Sequence, residues 1–234
     1  MQEVTVTSLA EFITGTVHSE NELIFSSFLF RGQPEKWELL PGIARTRTIA
    51  KAEKKMLEQL KLQGSSFLNG VGPTDLDILV LAQHSGLMTR LLDWTSNPLA
   101  ALWFACTGAE DGDVLVYMLI ADFLLDEDVY NNDPFAIAEN GVRGQACVFQ
   151  PRLNNARIIA QHGWFTLHRP DENGIFVPLE QHPQAANNMI RFRIQKSMRS
   201  HILDTLDMLG VNAKTLFPDL DGLCRHLKWK HQLA

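Results

Sequence analysis

No run in this sequence approaches the roughly 18 consecutive apolar residues that a membrane-spanning helix needs. The opening residues have no basic start leading into an apolar stretch, so no secretory signal is expected and the chain reads as cytoplasmic, without a membrane partner. Only three cysteines occur, Cys106, Cys147 and Cys224. They lie far apart and form no CxxC pair, which argues against a disulfide framework and a structural zinc site. The motifs GxGxxG, P-loop, HExxH and GxSxG are also missing. Their absence argues against a dinucleotide Rossmann domain and against kinase-like, zincin and α/β-hydrolase chemistry. No internal repeat, low-complexity segment or obvious linker divides the 234 residues, so one domain with a sizeable core is expected.

The formal net charge is −6, which weighs against a surface that grips nucleic acid throughout. It is unevenly spread: residues 191–234 carry eight Lys/Arg against four Asp, a net +4, leaving −10 for residues 1–190. A basic end on an acidic body is a place for an anionic ligand or plain solvated surface. The acidic stretch within residues 121–150 lacks the regular Asp/Asn/Gly spacing of a calcium loop and reads as a solvated loop, so no metal is expected.

Local signals indicate interspersed helices and strands. Ser8 suits an N-cap ahead of Leu9, Phe12 and Ile13. Residues 24–30 form an apolar, β-rich run that delivers Arg31-Gly32-Gln33 at its exit. A loop over 34–50 carries Trp37, Pro41-Gly42, Arg45 and Arg47. Residues 51–63 follow as an amphipathic helix, with Met56, Leu57 and Leu60 on one face. Gly64, Gly70 and Gly72-Pro73 break it. Thr74 and Asp77 then make a capping box for a helix reaching Gln83 and His84. Asn97-Pro98 starts a helix that Gly108 stops, apolar nearly all round. Residues 114–120 read as a central strand, and 156–166 as two short strand-like pieces around His162-Gly163. Residues 189–195 alternate as a half-buried strand. At the end, Ile202, Leu203, Leu206 and Leu209 share a helical face, as do Leu220, Leu223, Cys224 and Leu227. The pattern predicts an α+β fold, a mixed β-sheet core with surrounding helices.

The densest polar stretch is 82–108, which sets Gln83, His84, Arg90, Asp93, Trp94, Thr95 and Ser96 between apolar runs. Arg31, Arg90 and Asp93 are the most suggestive set. A guanidinium offers planar bidentate geometry to phosphate or carboxylate, and an Asp can orient it or accept from a hydroxyl. Arg90 and Asp93 could equally form a buried structural bridge. Arg31 followed by Gly32 suits a ligand approaching the backbone, or simply a strand-to-loop turn. His84 is a general acid or base, or a helix-end His bonded to backbone. Trp94 stacks on a ring or packs in the core.

The arrangement resembles the FRG domain family, in which Phe30-Arg31-Gly32 would be the naming tripeptide. Further blocks match in order: Leu40-Pro41 with Arg45, Gln83-His84 through Thr95, Ala156-Arg157-Ile158 with Gln161, Gly163 and Phe165, and Leu216 through Leu223. The matching blocks run from about residue 20 to about 230, so residues 1–234 are expected to form a single FRG domain. Two positions depart from the pattern: Ser85 stands where the family has an aromatic, removing a stacking surface, and Met88 where it has Pro, loosening the turn before Thr89-Arg90.

A looser resemblance is to ADP-ribosyltransferase-like enzymes, which bind NAD in a cleft of a split mixed sheet. That resemblance implies NAD as substrate and roles for particular residues. Arg31 would contact ribose or phosphate, the Gly32 backbone would hold the nicotinamide amide, and Thr95-Ser96 would brace the site. The late-strand Glu of those enzymes has no direct counterpart. Gln161 can bond a ribose hydroxyl, and Asp93 and Glu180 offer the carboxylate that an oxocarbenium-like charge requires. Catalytic candidates are therefore Arg31, Asp93, Gln161 and His84. Arg31, Gly32, Arg90, Trp94, Thr95 and Ser96 are candidates for holding NAD. A non-catalytic nucleotide- or nucleic-acid-binding module, using Arg31, Arg45, Arg47 and the basic end, is the alternative.

Overall fold

A computed structural model describes residues 1–21, 27–34, 37–45, 50–68, 74–108, 111–139, 141–152 and 155–232. Arg47, Gly70, Gly72-Pro73 and the start of the 24–30 run lie outside these described residues. The strands are β1 (Gln2–Val6), β2 (Phe28–Pro34), β3 (Leu91–Thr95), β4 (Val114–Ile120), β5 (Ala146–Phe149), β6 (Gly163–His168) and β7 (Met189–Ile194). The helices are α1 (Leu9–Asn21), α2 (Ala50–Gln63), α3 (Asp75–His84), α4 (Pro98–Gly108), α5 (Val142–Gln145), α6 (Ala156–Ala160), α7 (Pro183–Asn187), α8 (Arg199–Met208), α9 (Ala213–Leu216) and α10 (Leu220–Lys230). The fold is α+β, as the mixed pattern predicts.

Among the described residues the strands form one seven-stranded mixed sheet in the order β1-β7-β4-β2-β3-β6-β5. Of the pairings between these described strands, β1–β7 is parallel and the other five are antiparallel. Strand β4 is buried on both faces, which is why its sequence is an unbroken apolar run rather than an alternating one. Val114, Val116 and Met118 meet Phe30, α4 and α8 on one face, while Leu115, Tyr117 and Leu119 meet Leu29, Leu92 and Trp94 on the other. A third apolar cluster packs α2, α3 and α6 over Leu91, Phe165 and Leu167.

One interruption organises the molecule. Strand β2 pairs with β4 at seven positions and β3 pairs with β6 at five, yet β2 meets β3 only at Phe30↔Thr95. Beyond that rung the two strands part and the sheet splits. On the face shared by Phe30 and Thr95, α4 covers one half of the sheet, and α3 with α6 covers the other.

Local chemistry fixes the helices flanking the split. Thr74 and Asp77 form the expected reciprocal capping box of α3. Asn97 Oδ1 accepts from the N–H of Leu99 at 2.9 Å, and Pro98 takes the first helical position of α4. Two expectations are corrected. Strand β2 does not end at Phe30 but carries Arg31, Gly32 and Gln33 within it, because β4 pairs along its whole length. The first of the two pieces around His162 is helix α6, capped by Asn155 Oδ1 accepting from Arg157 N–H at 2.8 Å; only the second is a strand. Helix α10 forms as its spacing predicts, but Leu220 and Leu227 on its apolar face stay 73% and 44% exposed.

Candidate functional site

The split opens into a cleft of about 350 Å³ between α4 on one side and the ends of α3 and α6 on the other. Arg31 spans the gap. Its Nη1 donates to the backbone carbonyl of Asp93 at 2.7 Å and its Nε to Gln33 Oε1 at 3.1 Å. The Asp93 carboxylate lies 3.9 Å from the same Nη1 and is 52% exposed, so this pair is loose and open to solvent. Burial draws the pKa of Arg31 down, Asp93 opposes that shift and Arg45 adds to it; the group remains a cation near neutrality.

Asp93 is oriented by a relay with a defined polarity. Leu91 N–H donates to Thr89 Oγ1 at 3.1 Å, so the Thr89 hydroxyl proton is free to donate to Gln83 Oε1 at 2.8 Å. The amide of Gln83 must then present Nε2 to Asp93 Oδ2, at 3.0 Å. One carboxylate oxygen is thereby held, on a half-exposed side chain that lines the cleft.

His84 closes this wall. Its ring meets Phe165 edge-on at 5.8 Å, and its Nε2 is buried with no hydrogen-bond partner among the described residues. Burial lowers its pKa against the pull of Asp93, and Arg157 lowers it further, so the ring is neutral at pH 7. Arg157 donates through Nη1 to the backbone carbonyl of His84 at 3.2 Å, and its guanidinium lies 4.4 Å over the Phe217 ring. Gln161 caps α6, donates through Nε2 to the Leu216 carbonyl at 3.0 Å, and offers its own carbonyl to Thr95 Oγ1 at 2.7 Å. Thr95 Oγ1 also accepts from Asn97 N–H at 3.0 Å, so this hydroxyl ties β3, α6 and α4 together as a brace.

The structure therefore brings Arg31, Gly32, His84, Asp93, Thr95 and Gln161 to one cleft. Four other expectations are revised. Arg90 is 1% exposed and does not reach the cleft or Asp93: its N–H and Nε bind Glu53 at 2.7 and 2.8 Å, and Nη1 binds the Pro134 carbonyl at 2.8 Å. A guanidinium buried that deeply requires a counter-ion and acceptors, and Glu53 on α2 supplies the charge that Asp93 does not. Trp94 reaches the cleft wall, but its indole is in the core, with Nε1 donating to Thr166 Oγ1 at 3.1 Å. Ser96 is exposed outside the lining, its N–H bound to the His162 carbonyl at 3.1 Å. Glu180 lies outside the cleft, both carboxylate oxygens accepting from Leu39 N–H at 3.1 Å.

Gly32 has a structural reason of its own. A Cβ there would stand 1.9 Å from the Ala101 carbonyl oxygen and 2.6 Å from the Ala105 nitrogen, so the close approach it permits is that of helix α4. Residues that sequence reasoning did not place in the site are Gln33, Gln83, Trp37 and Arg157. Trp37 carried a signal: an aromatic in a polar loop directly after the Arg-Gly strand. Two Arg and one Asp line the cleft among the described residues, so its local charge is positive in a chain of net −6.

No curated protein and no solved structure matches the chain. The FRG domain family model matches residues 26–113, a span that holds β2, α2, α3, β3, α4 and with them Arg31, His84, Asp93 and Thr95, and this chain carries an FRG domain.

Proposed function

We propose that the cleft binds NAD as a substrate and that the chain breaks its nicotinamide–ribose bond, passing ADP-ribose to water or to an acceptor nucleophile. The observation that carries this reading is the split between β2 and β3, held open by Arg31 with the Asp93 carboxylate facing the space. Beyond Phe30, strand β2 is paired on one side only, so backbone groups along its other edge are turned toward the cleft. Such an edge suits the amide of nicotinamide, which needs one donor and one acceptor. The positive lining suits a pyrophosphate.

In the reaction the C1′–N bond breaks and its electron pair stays with the nicotinamide nitrogen, which leaves neutral. Positive charge develops on the ribose, where Asp93, fixed by Gln83, lowers its energy. The nucleophile forms the new bond to C1′ and loses its proton, for which His84, kept neutral by burial, is the base. Thr95 and Gln161 hold the wall in place.

The test is release of nicotinamide from NAD by the wild-type chain and by Arg31→Ala, with water and with candidate acceptors present. Release that Arg31→Ala abolishes supports the reading; absence of both NAD binding and turnover rejects it. The alternative of a non-catalytic nucleotide-binding module shares this cleft and is distinguished by binding without nicotinamide release. Four of the eight cations of the basic end are engaged within the fold: Arg191 and Arg193 clamp Glu3, Lys196 pairs with Asp111, and Arg199 binds the Cys106 carbonyl.

A further inference from the structure

Trp37 is 51% exposed at the rim of the cleft, an aromatic surface left in water beside the charged site. It is not loosely held. Gln33 Nε2 donates to its backbone carbonyl, and the Arg45 guanidinium lies 5.0 Å from its ring centroid. Arg45 is fixed in turn by donating through Nη2 to the Glu38 and Leu40 carbonyls at 2.7 and 3.2 Å. A guanidinium stacked on an indole restricts the ring's rotation and supports it from one side. Among the described residues the ring belongs to none of the apolar clusters.

Its place along the cleft is informative. Arg31 donates through Nη1 to the Asp93 carbonyl and through Nε to Gln33 Oε1, and Gln33 donates through Nε2 to the Trp37 carbonyl. Asp93 with its carboxylate, the Arg31 guanidinium and the residue that bears the aromatic ring are thereby linked in that order across the cleft, all three in its lining. A nucleotide has its ribose, phosphate and base available for the same three kinds of contact, and in a dinucleotide the second base lies beyond the pyrophosphate.

We infer that Trp37 is the stacking platform for the adenine of a bound adenine dinucleotide, whose pyrophosphate lies on Arg31 and whose reacting ribose lies at Asp93. This rests on the NAD reading of the cleft and adds to it the end at which the adenine is held. The base lies on the rim, one face on the indole and its outer edge in solvent. The subsite therefore recognises a planar π-surface rather than a full set of base edges.

The experiment measures binding of ADP-ribose and of nicotinamide mononucleotide by calorimetry and by tryptophan fluorescence, on wild type, Trp37→Phe and Trp37→Ala. Trp37 is one of five tryptophans, so its signal is isolated by the Phe variant. ADP-ribose should quench the wild-type emission, and Trp37→Phe should lose that quench while keeping affinity within about threefold. Trp37→Ala should weaken ADP-ribose binding about tenfold or more and leave nicotinamide mononucleotide unaffected. Because the ring is outside the core, all three chains should melt at the same temperature. ADP-ribose that fails to bind wild type, binds Trp37→Ala equally well, or quenches Trp37→Phe as it does wild type overturns the inference. Nicotinamide release is measured separately, so turnover of NAD with any of those outcomes removes only the adenine subsite.

Discussion

Arg31 donates through Nη1 to the backbone carbonyl of Asp93 at 2.7 Å, across the point where β2 and β3 separate. The contact joins two strands that share a single ladder rung. It positions a cation against a carboxylate while leaving that carboxylate half exposed. A lysine has one ammonium and cannot serve both Gln33 Oε1 and the Asp93 carbonyl in the same geometry. Arg31→Lys should therefore keep its melting temperature within a few degrees and lose about 100-fold in nicotinamide release. Initial rates and a thermal melt on the same sample check this; a large fall in melting temperature would make Arg31 a structural clamp instead.

Arg90 and Glu53 are expected to carry stability rather than binding. Each side chain is 2% exposed or less, so removing one partner strands the other as a buried charge. Arg90→Ala should cost about 3–5 kcal/mol in urea unfolding, while Glu53→Leu with Arg90→Met should recover most of that loss. The folded double variant should bind ADP-ribose as wild type does. If its affinity falls with stability restored, Arg90 has a role in the cleft after all.

This ion pair also marks what the sequence could reveal. Glu53, Met56, Leu57 and Leu60 follow i, i+3, i+4, i+7, so an acidic residue stood on the buried face of α2, where it needs a cation. The three apolar members of that face were legible, and Glu53 was the informative fourth. Strand β4 and the starts of α3 and α4 were legible because apolar runs and caps are local chemistry. Strand β3 was not, since Leu91, Leu92, Trp94 and Thr95 are all buried and no alternation survives. In α6 the paired Ile158-Ile159 suggested a strand, and the Asn155 cap decided for a helix. Helix α10 illustrates a general limit: periodicity states which residues share a face, not what covers it. The cleft members were legible as residue types, but the split that gathers them depends on pairing between distant strands.

Gly32 provides a packing test. A methyl group at this position would meet backbone atoms of α4 rather than a mobile side chain. Gly32→Ala should push the helix away and destabilise by about 3 kcal/mol, seen as a lower denaturant midpoint at unchanged m value. Near-wild-type stability would show that α4 can shift without cost.

His168 gives a pH test. Burial pushes its pKa down to about 3, with His182 and Arg31 adding to the shift. Trp94 Nε1 donates to Thr166 Oγ1, and the same hydroxyl is hydrogen-bonded to His168 Nε2 at 2.9 Å, so the ring sits in a buried polar chain with no carboxylate in it. Below its ordinary pKa of 6.5 the unfolded chain takes up a proton that the folded chain refuses. Stability conferred by the neutral ring is therefore complete above about pH 6.5 and is lost as pH falls toward 3, by about 1.4 kcal/mol per pH unit. Urea unfolding of wild type and His168→Gln between pH 7 and 4.5 should give a shallower loss for the variant. Parallel curves would contradict a neutral buried imidazole.

The most direct measurement of the central claim is nicotinamide release from NAD by wild type and Asp93→Asn at saturating NAD. Asparagine keeps the size of the side chain and the backbone carbonyl that Arg31 holds, and removes only the charge facing the cleft. The account predicts release by wild type, a fall of about 100-fold or more in Asp93→Asn, and little change in NAD affinity. Equal release by the two chains, or none by wild type, would contradict it.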